Sequence, residues 1–170
     1  MKRLSALDEH RESMEWPALF LTNDERLAEA CVVDTLANAE NLAEIWQDHT
    51  GEFARRALLH SAAEIMRRRI AELAATYGHY LSETEDPPLS RQMLEVLVTH
   101  SESLRKDLNT LCRFVLVTYG IEGYSASECA RILGIGTTVI EAAYSVVLEG
   151  IELYSFEAFV AEAADEYAGS

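Results

Sequence analysis

The chain of 170 residues has only three cysteines, Cys31, Cys112 and Cys129, and no CxxC pair. An odd, scattered set cannot build a disulfide framework, so reduced, buried thiols in a cytoplasmic protein are expected. No apolar run approaches membrane-spanning length, and the start at Met1, Lys2, Arg3 and Leu4 leads into charges instead of a signal-peptide core. Three prolines and eight glycines leave few breaks, and the alternation of period two that marks a strand is missing almost everywhere. Positive charge is scarce: 14 Lys and Arg against 29 Asp and Glu give a net charge of -15. Such an excess repels phosphate backbones and anionic membranes, and it fits partners that are proteins.

What is present is a globular composition, with 49% hydrophobic and 25% charged residues, enough for a real core. Leu27, Ala30, Cys31, Asp34 and Thr35 share a mixed face. Phe53, Leu58, Ile65 and Leu73 recur at nearly helical steps, as do Leu89, Met93, Val96, Leu97, Leu104, Leu108 and Leu111. Phe114 to Val117 is the one β-branched run that could be a strand; its helical flank makes it a buried helix. The class is all-α.

Breaker signals divide the chain. Tyr77 and Gly78 end a helical pattern, and Ser82 to Pro88 is acidic and closes on two prolines. The expected organisation is a helical module over 1–76, an acidic Pro-containing linker over 77–88, and a second helical module over 89–170. In the second, Ser125 and Glu128 form a capping-box pattern. A helix from Ala126 to Leu133 should break at Gly134, Ile135 and Gly136, restart with Thr137 or Thr138 as N-cap, and stop at Gly150. Ala130, Gly134 and Ile140 have helix-turn-helix spacing. Leu153, Phe156, Phe159, Val160 and Ala163 predict a separate amphipathic C-terminal helix that packs on this module, either over its reading face or elsewhere.

With these residues in view, the chain resembles the extracytoplasmic-function sigma factors of bacterial RNA polymerase. Leu111 to Val117, Glu122 to Ser125, Glu128, Ala130 and Ile132 to Ile135 resemble the helix-turn-helix of sigma region 4. Leu21 to Asp24, Leu27 to Glu29, Asp34 to Leu36, Phe53 to Arg56 and Ile65 to Arg69 resemble region 2. The resemblance implies a region 2 that holds the polymerase and melts the promoter, and a region 4 that reads its upstream element. It places polymerase docking at Glu29, Val32, Val33 and Asp34, and nucleic-acid contact at Arg55, Arg56, Arg67, Arg68 and Arg69. Members of the family typically read Ala-Glu-Asp-Leu-Val-Gln-Glu where this chain has Ala28 to Asp34, so one acid and the glutamine are replaced by apolar residues.

The recognition helix departs further. Its reading positions hold Thr137, Thr138, Glu141, Tyr144 and Ser145, and no Lys or Arg occurs from Gly134 to Ser170. Reading DNA requires cations for phosphates and guanine edges. Val139, Ile140, Ala143, Tyr144, Val147 and Leu148 also invite burial. The arginines from 55 to 69 have two readings: a nucleic-acid contact with Tyr77 and Tyr80 as stacking residues, or a solvated helix face. The five histidines have no ligand spacing and no cofactor or metal is expected. His60–Ser61 and His100–Ser101 are neighbours that a helix points apart, and no catalytic site is expected. Trp16 and Trp46 read as core or module-interface aromatics. The favoured function is a degenerate sigma-like regulator that binds a protein, either polymerase core or an anti-sigma-type regulator. The alternative is a divergent sigma factor that directs initiation.

Overall fold

The computed structural model describes residues 2–40, 50–77, 89 and 91–168. Its elements are α1 (Lys2–Thr22), α2 (Glu25–Glu40), α3 (Thr50–Tyr77), α4 (Arg91–Thr99), α5 (Ser101–Asp107), α6 (Thr110–Val115), α7 (Ala126–Leu133) and α8 (Thr137–Ala168). The last turn of α6 widens into a π-helical segment, Leu116–Ile121. The fold is all-α, with no strand among the described residues, and the Phe114 to Val117 run is buried helix as its flank required.

Helices α1, α2 and α3 pack on one another, and α3 also packs against α6, α7 and α8. The spacing along α3 explains this double role. Ala54, Leu58, Ala62, Met66, Ile70 and Ala74 are all buried, each four residues from the last. Four residues advance about 400°, so the stripe drifts about 40° per step around the helix and meets different neighbours along its length. The buried residues on both sides of 77–88 form one hydrophobic cluster, from Met14 and Phe20 in α1 to Tyr144 and Ile151 in α8. Tyr77 is the last residue of α3 and is buried; positions 78–88 of the expected linker lie outside the described residues.

The corner between α1 and α2 is built by Leu21 to Asp24. Asn23 takes a left-handed conformation (φ 53), which asparagine tolerates better than most residues, and the Leu27 N–H donates to Asp24 Oδ1 at 2.9 Å. Gly120 in the π-helical segment admits a close approach: a Cβ there would lie 3.0 Å from Leu89 Cδ1 and 3.1 Å from Tyr144 Cε2.

The α7–α8 corner follows the sequence expectation at its start. Ser125 accepts from the Glu128 N–H at 3.2 Å, while Glu128 Oε2 accepts from the Ser125 N–H at 2.9 Å. Gly134 caps α7 in the left-handed region (φ 70), and the chain turns through 103° before α8. Two expectations are corrected here. Neither Thr137 nor Thr138 caps α8, which starts at Thr137; the Gly136 carbonyl instead accepts from the Val139 and Ile140 N–H groups at 3.2 and 3.3 Å. Nor does Gly150 stop α8, which continues to Ala168 as one helix of 32 residues. Glycine inside a helix costs about 1 kcal/mol, and burial of Val147, Leu148 and Ile151 around it outweighs that. The separate C-terminal helix therefore does not exist, and Leu153, expected on its packed face, is exposed. The side chains of Phe156 to Ala163 lie outside the described residues. No single helix among the described residues is long and apolar enough to cross a membrane.

Candidate functional site

The five arginines of α3 do not make one patch. Arg55–Arg56 and Arg67–Arg69 stand about 17 Å apart along the helix, and three consecutive residues fan over about 200° of its surface. Each has a carboxylate partner, but four carboxylates serve the five of them. Arg55 Nε lies 2.9 Å from Glu122 Oε1, and Arg56 Nη2 lies 2.5 Å from Glu52 while its guanidinium sits over the Tyr124 ring at 5.6 Å. Arg67 pairs with Glu64 at 2.5 Å, and Arg68 and Arg69 both reach Glu72, at 3.1 and 3.6 Å. The pairs within α3 are exposed and contribute about 0–1 kcal/mol each, so they could yield to a phosphate; Arg68 and Arg69 share the one carboxylate of Glu72, which leaves one positive charge uncompensated. Tyr77, offered as a stacking residue, is buried beneath Cys112 and Asn109. Tyr80 lies outside the described residues.

The docking residues of α2 divide by helical phase. Val32 is 2% exposed and belongs to the core. Asp34 is held between α2 and α3, accepting from Ser61 Oγ at 2.7 Å and from Asn38 Nδ2 at 3.3 Å. Glu29, Val33 and Asp34 are all exposed; Val33 is 50% exposed and Glu29 lies 3.6 Å from the Arg11 guanidinium. A groove beside them is lined by Arg11, Glu15, Leu19, Glu25, Ala28 and Val32.

On α8 the exposed side chains at the corner are Thr137, Thr138 and Glu141, with Ser145 half-buried and donating to the Glu141 carbonyl at 3.2 Å. Tyr144, assigned to the reading face, is 1% exposed and packs edge-on against Tyr119 at 4.8 Å. Its position is corrected to the core, because it follows Ile140 by four residues and shares that buried stripe. The outward face of α8 at the corner thus carries hydroxyls and a carboxylate with no cation; the cations nearest it are the exposed Arg131 on α7 and Arg67, whose Nη1 would lie 3.3 Å from a Cβ at Gly134.

One charged residue escaped the sequence reading. Arg113 is 4% exposed. Its guanidinium donates to the backbone carbonyls of Leu21 (3.4 Å), Arg105 (3.0 Å) and Leu108, and to Thr110 Oγ1 (3.2 Å). Burial, with Arg105 beside it, lowers its pKa to about 10, so it stays charged at neutral pH. The signal was legible: one arginine inside the apolar run Leu111 to Val117 must be either exposed or fully satisfied. Nearby, Asn109 Oδ1 caps the Cys112 N–H at 2.9 Å, and Asn109 Nδ2 donates to the Tyr77 hydroxyl at 2.8 Å.

Trp16 is 51% exposed, stacked on Phe20 at 5.3 Å, and lines a groove between α1 and α5 with Leu19, Ser101, Glu102 and Arg105. At this exposure Trp16 is not a core residue; Trp46 lies outside the described residues. All three thiols are buried and unpaired by disulfides, and burial raises the pKa of each. Among the described residues no group of His, Cys, Asp and Glu could hold a metal ion. No protein-family model, curated protein or solved structure matches the chain.

Proposed function

We propose that the chain is a sigma-factor-like transcription regulator that acts through protein–protein contacts, with weak or no reading of promoter DNA. The observation that carries this is the outward face of α8 at the corner, which has Thr137, Thr138 and Glu141 where a DNA-reading helix needs cations, Arg131 on α7 being the one exposed cation of the two helices among the described residues. The ion pairs of Arg55, Arg56, Arg67, Arg68 and Arg69 support the same reading, since four carboxylates leave only one of these five charges of α3 uncompensated. Its partner is polymerase core or an anti-sigma-type regulator, met in the cytoplasm through the outward face of α2, where Glu29 and Val33 stand. No enzymatic step, cofactor or metal is part of the proposal.

The test is to incubate the protein with core polymerase and a pool of promoter fragments. Stable polymerase binding without promoter selection is the expected result. Open complexes on selected promoters would overturn the proposal in favour of a divergent sigma factor that directs initiation. Promoter-selective DNA retention whose affinity falls steeply with salt would point the same way, because that slope counts neutralised phosphates.

A further inference from the structure

The strongest observation that the docking reading leaves unused is the seam between the first three helices and the rest of the chain. It is fastened at three separated places. At the start of α3, Arg55 reaches Glu122 at 2.9 Å and Arg56 covers the Tyr124 ring. At its end, the Tyr77 hydroxyl accepts from Asn109 at 2.8 Å and lies 3.2 Å from Cys112 Sγ. These two places are about 33 Å apart along the helix. The third is the α1–α2 corner, where Arg105 donates to Asn23 Oδ1 at 3.1 Å and Arg113 to the Leu21 carbonyl. Between them runs one uninterrupted apolar core.

We infer that the two halves form one closed body that does not open, so that a partner meets both as a single rigid surface. Domains that swing share modest, largely polar interfaces. This seam is apolar, and a hinge at any one fastening would tear the other two. The consequence for function rests on the sigma-like reading above: halves that cannot part cannot occupy two separate promoter elements. The closure itself stands on the packing and does not depend on that reading.

The experiment uses the full chain with nitroxide labels at Arg68 on α3 and Glu149 on α8, both exposed, and reads their distance by pulsed electron resonance. One narrow distance is expected, unchanged in about 1 M salt, which screens the rim ion pair but not a core. The same distance is expected in Glu122→Ala and after addition of polymerase core with promoter fragments. A second, longer distance under any of these conditions overturns closure, whether or not polymerase binds. If the labelled variant does not fold, native-state hydrogen exchange on the unmodified chain decides instead. Amides of α3 and of α6 should open with one common free energy, and separate opening of the halves sinks the inference.

Discussion

Arg113 shows what a buried charge requires when no carboxylate meets it: its donors are aimed at carbonyls at the ends of α1 and α5 and at the Thr110 hydroxyl, and helix C-termini favour cations. Arg113→Ala should therefore cost about 3 kcal/mol, from lost packing and orphaned carbonyls, as a shift in urea midpoint. Arg113→Lys should fall between the two, since one ammonium cannot span these acceptors. Burial, with Asp34 nearby, raises the Cys31 pKa from 9.0 to about 11. A group raised on folding stabilises fully below its unfolded pKa and loses that contribution as pH rises through the folded value. Stability should thus decline between about pH 9 and 11, and Cys31→Ala should flatten about 2 kcal/mol of that slope in alkaline denaturation curves.

At the scale of elements, the α7–α8 corner was legible because its signals are local: a capping box, a left-handed glycine and a branched residue at fixed offsets. The end of α8 was not, because Gly150 reads as a terminator until the burial of its neighbours is known. The two glycines give opposite predictions. Gly134→Ala forces a side chain into φ 70, beside Arg67 Nη1 at 3.3 Å, and should destabilise by about 1 kcal/mol. Gly150→Ala meets, among the described residues, only Leu108 Cδ2 at 3.8 Å and should stabilise by about 0.5–1 kcal/mol. Thermal melts of both variants check the pair. Ser125→Ala should cost about 1 kcal/mol through loss of the cap. The burial of Tyr144 was half-visible: its apolar neighbours pointed inward, while a helix-turn-helix template put it on the reading face.

Across the whole molecule, sequence spacing gave the helical class, but the joining of the halves depends on contacts between distant residues such as Arg113 and Leu21, which no local window contains. With a net charge of -15, self-repulsion should outweigh the exposed ion pairs, so moderate salt is expected to raise the melting temperature. A melting temperature that falls with salt would instead assign the surface pairs a larger share of stability. The chemistry of the seam has a further result for substitution. The rim contact of Arg55 with Glu122 depends on two particular side chains, and replacing either one removes it. Three of the four acceptors that hold Arg113 are backbone carbonyls, of Leu21, Arg105 and Leu108, and every residue type carries one. The acceptor side of this inner contact is therefore indifferent to which side chains stand at those three positions, while the rim is not.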